Sequence, residues 1–473
     1  MSTAVVVGSG PNGLAAALTL AEKGVDVTVL EACADIGGGT RTSELTIAGL
    51  LHDDCSAVHP MAAASPFIQS QHLDDYGLRW CYPDIDMAHP FDDGRAAFLR
   101  TSIDDTIEQF DDRDARAWKR LFGSLATHFD DLVTDLFRPA VHLPRHPGTL
   151  TRFARRAVLP ASVLVRRWRS PHARALFAGV AAHAFTPLTR PMTSAVGLML
   201  ISAGHRYGWP VAAGGSRSIS DAMAARLVDL GGKLETEVAV ASLRDLPRTD
   251  VVLFDLAPCA VARIADAELP RHVRRAYLRY RHGPAAYKLD IALDGDIPWT
   301  NPECRRAGTV HLGGIFAEIA AAESDIARDV MPLRPFVLVG QQYLADPTRS
   351  VGAQNPIWVY AHVPHRHRAD VTATVLDQIE RFAPGFGQQV RAVHVRKPDG
   401  LEFHNANYVG GDILTGRNDP LQVLARPRLA LNPYRTGMPG VFICSAATPP
   451  GPGVHGMCGY NAAQSALRYL QRR

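Results

Sequence analysis

Apolar residues in this chain fall into short runs separated by glycine-rich turns, and the runs have two periods. Residues 4–7 form one uninterrupted apolar run, followed by Gly8-Ser9-Gly10-Pro11-Asn12-Gly13, a helical stretch, and a second run over 26–30 that ends at Glu31. An apolar run bounded by turn residues suits a strand covered on both faces, so strand, helix and strand predict a parallel βαβ unit. A similar passage recurs later. Ala213-Gly214-Gly215-Ser216 leads to a helix over about 220–230, then Gly231-Gly232-Lys233, a strand over 234–240 and an apolar strand over 250–255. Between about 285 and 395 the pattern changes to strands such as 287–293 and 336–339, which predict an antiparallel sheet beside a substrate. A strand over 440–444, a Pro/Gly-rich turn over 449–453 and a helix over 460–470 close the chain. The order is interleaved: 1–75, 211–270 and 400–473 read as one α/β nucleotide-binding domain, and 76–210 with 271–399 as an α+β substrate domain.

The chemistry enters at the first turn. Gly8 permits a tight turn, Gly10 lets backbone approach a pyrophosphate, and Gly13 lets the helix pack closely on the strand. Pro11 and Asn12 complete the loop, and the anion is expected at the helix N-terminus beginning near Gly13. Glu31 follows at the spacing of the acid that accepts hydrogen bonds from the adenosine ribose, and its charge argues against a 2′-phosphate. Together these residues predict FAD as the cofactor. Gly37-Gly38-Gly39-Thr40-Arg41 extends the signal, with Gly38, Gly39 and Arg41 assigned to the flavin or pyrophosphate region and Val238 to the same site.

A second loop, Pro449-Pro450-Gly451-Pro452-Gly453-Val454-His455-Gly456-Met457, precedes a helix without acids. A helix N-terminus stabilises negative charge, as on the pyrimidine edge of a reduced flavin, so Gly456 and Met457 are placed under the isoalloxazine. No Asp or Glu occurs after Asp419, which leaves Ser445 or backbone groups to meet the ribityl chain.

Composition narrows the class without choosing the substrate. The chain has 473 residues, 47% of them hydrophobic, and a net charge of +3. That length suits two or three domains with sizeable cores. Seven scattered cysteines without a C-x-x-C pair argue against a disulfide framework, a zinc site or a dithiol redox centre. The first strand begins at once, with no secretory signal before it and no stretch near eighteen apolar residues, which predicts a cytoplasmic protein.

The N-terminal unit, His52-Asp53-Asp54-Cys55-Ser56-Ala57-Val58-His59-Pro60, Asn407-Tyr408-Val409-Gly410-Gly411-Asp412 and the Gly453 to Ala463 ending resemble the phytoene desaturase-related FAD oxidoreductases. The resemblance is greatest to the branch of the pyridine nucleotide-disulfide oxidoreductase domain-containing 2 proteins. It implies a glutathione-reductase-type FAD domain, non-covalent FAD and an interleaved domain that receives an apolar, isoprenoid-like or lipidic substrate for dehydrogenation or desaturation. No second GxGxxG follows a strand, so a two-dinucleotide disulfide reductase does not fit. Candidate proton handlers in the motif segments are His52, Asp53, His59 and His455. Lys288 resembles the strand lysine that holds a water near the flavin in amine oxidases; its other reading is a snorkelling lysine on an edge strand. Alternatives are a carotenoid-type ketolase or oxygenase, an amine oxidase, whose flanking aromatic pair the sequence does not reveal, and a non-catalytic membrane-associated flavoprotein.

One segment suggests a surface role. Between Asp135 and Asp221 there is no acid, while Arg138, Arg145, Arg152, Arg155, Arg156, Arg166, Arg167, Arg169 and Arg174 crowd its first half. The segment 138–175 is expected to lie in an anionic lipid interface, with its aliphatic residues and Trp168 inserted, unless acids such as Asp111 to Asp114 pair its arginines. Nucleic acid is not expected as a partner, since no recognition motif accompanies the arginines.

Overall fold

A computed structural model describes residues 2–139 and 141–472. The predicted βαβ unit is present as Thr3–Val7, Pro11–Ala21 and Asp26–Leu30. These strands belong to a five-stranded sheet whose spatial order is Val441–Ile443, Val251–Phe254, Thr3–Val7, Asp26–Leu30 and Lys233–Glu235. Every pairing in it is parallel, so pieces far apart in the sequence form one α/β unit. Parallel strands need cover on both faces. Here the helix Pro11–Ala21 packs against the last helix, Met457–Leu470, so closely that a Cβ on Gly459 would stand 1.8 Å from the Asn12 carbonyl oxygen.

The second sheet has seven strands, in the order Val390–Arg396, Ala285–Asp294, Gln354–Val363, Val337–Gly340, Ala307–Leu312, Ile85–Pro90 and Ala96–Leu99. Its pairings are antiparallel except that of Ala307–Leu312 with Ile85–Pro90, which is parallel. The helices Asp112–Thr127, Pro171–Ala181 and Thr193–Tyr207 share an aromatic core in which Trp118, Trp168 and Phe177 are completely buried.

Five expectations change. The strand expected over 234–240 is only Lys233–Glu235, because Glu237 turns to φ +61° and takes the chain out of the ladder. The helix expected from 220 starts at Arg217, and the last helix starts at Met457, where Gly456 at φ +68° reverses the loop into it. Lys288 is not on an edge: its strand pairs with Gln354–Val363 on one side and Val390–Arg396 on the other, and the side chain is buried. Trp168 does not reach a lipid interface, since its ring lies 5.2 Å from that of Trp118 in the core.

The remainder of 138–175 keeps its charge unneutralised. Asp114 accepts from the backbone N–H groups of Arg169 and Ser170 and not from a guanidinium. Arg152, Arg155, Arg156 and Arg167, with Pro147, Gly148 and Thr151, line a surface concavity of about 710 Å³. None of these four arginines forms an ion pair among the described residues. Burial, reinforced by Arg167, Arg152 and Arg155, lowers the pKa of Arg156, as expected for like charges held together. Leu143 (90% exposed) and Val158 (53%) belong to the same segment. No helix among the described residues is long and apolar enough to cross a membrane.

Candidate dinucleotide and substrate site

The first glycine loop lies at the carboxyl end of the parallel sheet, where open α/β folds bind nucleotides. Gly8 adopts φ +102°, which an L side chain rarely tolerates. A Cβ on Gly13 would come within 2.0 Å of the Gly8 carbonyl oxygen, so the helix can approach the strand only without one. At Gly10 a Cβ would stand 2.7 Å from Oδ2 of Asp255, at the end of a neighbouring strand. Part of this glycine's role is therefore to make room for a carboxyl group.

Asp255 was not a candidate from the sequence, since it stands 242 residues from Gly13, whose N–H donates to its Oδ2 at 2.9 Å. The helix begins at Pro11, two residues earlier than expected, and the Gly13 N–H is committed to this carboxyl rather than free for an anion. Burial raises the Asp255 pKa to about 7; the Gly13 hydrogen bond opposes the shift and nearby Glu31 adds to it. The group is therefore neutral in mild acid and places a negative charge at the helix N-terminus above neutrality.

Two pH effects follow from this sign. The native state holds a proton that the unfolded chain releases near 4, so this group's contribution to stability falls as pH rises from about 4 to about 7. The slope is at most roughly 1.4 kcal/mol per pH unit. Affinity for a pyrophosphate should also weaken above pH 7. Asp255→Asn keeps an acceptor for Gly13, and its melting temperature and dinucleotide affinity should be less pH-dependent than those of the wild type; superimposable profiles would refute the assignment.

Glu31 is buried at the end of the second strand. Its Oε2 accepts from the Ser9 N–H (2.9 Å) and Ser9 Oγ (2.6 Å), and its Oε1 from the Cys33 N–H (3.0 Å) and Arg41 Nη2 (3.4 Å). Arg41 also donates to the carbonyls of Asp35 (3.1 Å) and His404 (3.0 Å), which fixes it beside the loop. Val238 donates its N–H to the Glu31 carbonyl at 2.8 Å. Gly39 leaves space for Tyr408, whose hydroxyl would be 2.1 Å from a Cβ there. Asn407 pins the loop to the sheet, accepting from Ala257 N–H (2.7 Å) and donating to the Asp255 carbonyl (3.1 Å).

These residues line one cavity of about 850 Å³. Gly8, Gly10, Pro11, Asn12, Glu31, Gly38, Gly39, Arg41, Val238 and Ser445 all belong to its wall. Gly13, Gly456 and Met457 do not; they carry the helix contacts behind it. The other end is lined by His183, Leu200, Trp209, Leu338, Trp358 and Tyr360. Trp358 and Tyr360 sit two apart on one strand, therefore on one face, with rings 5.0 Å apart and 89° to each other. Aromatic groups thus reach the cavity although the sequence alone did not pair them, and they are perpendicular rather than parallel. The acids of the cavity wall, Glu31 and Asp255, both stand at the glycine-loop end.

The expected proton handlers lie outside the wall. His59 shares a 2.7 Å hydrogen bond with Ser216, and burial lowers its pKa to about 4 against the opposing pull of Asp53. His455 accepts the Met457 N–H at 3.1 Å and packs 4.7 Å from the Phe137 ring; burial lowers its pKa to about 4 as well. Burial likewise lowers that of His52 to about 4. Asp53 pairs with the buried Arg349 and accepts from the Ser216 N–H at 2.7 Å. Lys288 pairs with the buried Asp290, and its ammonium lies 5.4 Å from the Trp358 ring, behind the wall rather than in it.

The residues fit an adenine dinucleotide bearing a polar chain toward the second loop. Asn12 Oδ1 and Ser445 Oγ are buried in the wall and have no hydrogen-bond partner among the described residues, a costly state that a ligand's hydroxyl or amide groups would relieve.

Comparison with known proteins agrees with this geometry. Residues 6–76 match the NAD(P)-binding Rossmann-like domain. The chain is similar to pyridine nucleotide-disulfide oxidoreductase domain-containing protein 2 of Rattus norvegicus, with 24% identity over 99% of this chain and 94% of that protein. Among solved structures, an oxidoreductase from Methanosarcina mazei has a TM-score of 0.66 at 14% identity, covering 98% of this chain and 100% of that one. Putrescine oxidase bound to putrescine has a TM-score of 0.63 at 16% identity, covering 100% and 99%. The fold is that of this group of oxidoreductases over the whole chain.

Proposed function

We propose that this protein is an FAD-dependent oxidoreductase, a dehydrogenase or desaturase that acts on a hydrophobic, isoprenoid-like or other lipidic molecule. One observation carries the reading: a single cavity joins a glycine loop built for a dinucleotide to an end walled by Leu200, Trp209, Leu338, Trp358 and Tyr360. Glu31, Ser9 and Arg41 would hold the adenosine and pyrophosphate half, and Asn12 and Ser445 the polar chain. A bound flavin would supply hydride acceptance. The protein's part is to exclude water, present the apolar chain against the aromatic wall and set the local charge. Lys288, paired with Asp290 behind Trp358, would contribute a fixed dipole behind that wall and not a free ammonium in it.

The whole-chain similarity to proteins named as oxidoreductases supports this reading. An amine oxidase is the second reading, favoured by the likeness to putrescine oxidase. A diamine would bring two cationic ends, however, and among the described residues no carboxylate lines the aromatic end to receive one. Anaerobic incubation of the purified protein with a fractionated lipid extract should bleach the flavin absorbance. Bleaching by amines and not by any lipid fraction would favour the second reading.

Peripheral membrane contact belongs to the same proposal. The unpaired Arg152, Arg155, Arg156 and Arg167 beside exposed Val158 suit an anionic headgroup surface, where each basic residue contributes about 1 kcal/mol. The protein should co-sediment with anionic vesicles at low salt and release at high salt, and Arg155→Glu with Arg156→Glu and Arg167→Glu should abolish binding. Failure to bind such vesicles at low salt would remove this part of the proposal.

A further inference from the structure

Three histidines from separate elements, two of them buried and His183 half-buried, meet at the aromatic end of the cavity. His183, in a short helical turn at Ala182–Ala184, lines the cavity and turns Nε2 toward Nε2 of His311, 3.2 Å away. His311, on the strand Ala307–Leu312, and His89, on the strand Ile85–Pro90, are completely buried. His89 Nε2 lies 2.7 Å from the Gly314 carbonyl oxygen. The remaining nitrogens, Nδ1 of His89 and Nδ1 of His311, are buried without a partner among the described residues. Both approach one glycine: a Cβ on Gly179 would stand 3.1 Å from the first and 3.0 Å from the second.

The proton positions follow from these contacts. Burial lowers the pKa values of all three rings, to about 4 for His89, to about 3 for His183 and well below the ordinary value for His311, so each ring is neutral and carries one proton. A carbonyl only accepts, so His89 holds its proton on Nε2 and leaves Nδ1 bare. If His311 were also bare at Nδ1, two lone pairs would share the opening over Gly179. Protonation of His311 at Nδ1 avoids this, leaves its Nε2 bare and requires His183 to donate from Nε2. The Nδ1 of His183 is then bare toward the cavity. The other titratable pair nearby is His362 with Glu323: His362 Nδ1 lies 2.6 Å from Glu323 Oε1, while His362 Nε2 and Glu323 Oε2 are buried without a partner among the described residues.

We propose that this chain of tautomers makes His183 a fixed hydrogen-bond acceptor in a largely apolar wall whose other polar side chains here include Thr309 and Tyr360, and that the cavity selects lipidic molecules carrying a neutral donor, a hydroxyl group, at the His183 point. His311 and His89 are positioning residues. An ammonium is disfavoured, since among the described residues no carboxylate lines this end of the cavity, and Glu323, bonded to His362, does not reach the wall. A carboxylate or a ketone brings no donor. The inference rests on the aromatic end being the substrate region and is independent of which redox cofactor occupies the other end.

The test uses the protein as purified, with tryptophan fluorescence reporting ligand entry, since Trp209 and Trp358 line the cavity. A twelve-carbon primary alcohol should bind roughly three- to tenfold more tightly than its methyl ether, the range of one buried neutral hydrogen bond. His183→Phe should abolish that preference while retaining ether binding. His311→Phe should reduce it, because His183 is then free to change tautomer. The ¹⁵N signals of histidine-labelled wild-type protein, with His183 assigned by difference from His183→Phe or, if that variant fails to fold, His183→Asn, should show an unprotonated Nδ1. A protonated Nδ1, or an alcohol preference equal in wild type and variant, would overturn the proposal. Selective alcohol binding by protein that contains no flavin would uphold it while refuting the cofactor assignment.

Discussion

Protein carrying Gly13→Ala should be purified almost without bound flavin. A Cβ there would lie 2.0 Å from the Gly8 carbonyl oxygen, a backbone atom, so helix and turn must separate rather than a side chain rotate. Overpacking of this kind costs about 1–3 kcal/mol, and the displacement occurs where a pyrophosphate would be held, so affinity should fall by up to roughly a hundredfold. Glu31→Lys should have a comparable effect by another route. It removes the acceptor for the Ser9 and Cys33 N–H groups, costing about 1–3 kcal/mol for the buried Ser9 N–H left unpaired, and sets two cations side by side at Arg41. The flavin-to-protein ratio after gel filtration measures both. Full retention by both variants would contradict the cofactor reading, and FMN rather than FAD in the wild type would contradict the adenosine half of it.

Lys288→Met should cost about 3–5 kcal/mol of stability, because it strands the carboxylate of Asp290 in the core. Asp290 is fully buried; its neighbours His52 Nδ1 (3.7 Å) and His394 Nδ1 (3.9 Å) are imidazoles and not permanent cations. Burial alone would raise the Asp290 pKa, and Lys288 is the largest of the influences that instead hold it low. Lys288→Met combined with Asp290→Leu should recover most of the loss, since a buried pair replaced by apolar groups of similar size is often neutral. Thermal melts of the two single variants and the double variant measure the coupling. Additive losses would show that the pair does not stabilise the sheet. The double variant also supplies the background for any measurement of flavin reoxidation, because a slower reaction in Lys288→Met alone would mix chemistry with instability.

The amino-acid sequence by itself determined the βαβ unit and its ligand class. Those features are local: an apolar run, glycines at fixed offsets and an acid after the second strand specify backbone shape within about thirty residues. The antiparallel character of 285–395 was legible for the same reason, as period-two alternation is written along each strand. Boundaries were less so. The strand expected over 234–240 kept its apolar residues but left the ladder at Glu237, because those side chains serve as a cavity wall rather than as sheet.

What only the tertiary structure decided is which distant groups meet. Asp255 reaches Gly13 across 242 residues, and His183 reaches His311 across 128, with no spacing rule to announce either. Lys288 could be read from sequence as an exposed edge residue or a flavin neighbour, and the fold gave it a third environment beside Asp290, because strand order places it in the sheet interior. His59 and His455 are expected as proton handlers by position; the fold buries both as hydrogen-bonded rings, and burial, which penalises the charged form, lowers their pKa values to about 4. Side-chain chemistry is written in the sequence, whereas the dielectric and the partners that set its protonation are properties of packing, and these exist only once the chain has folded.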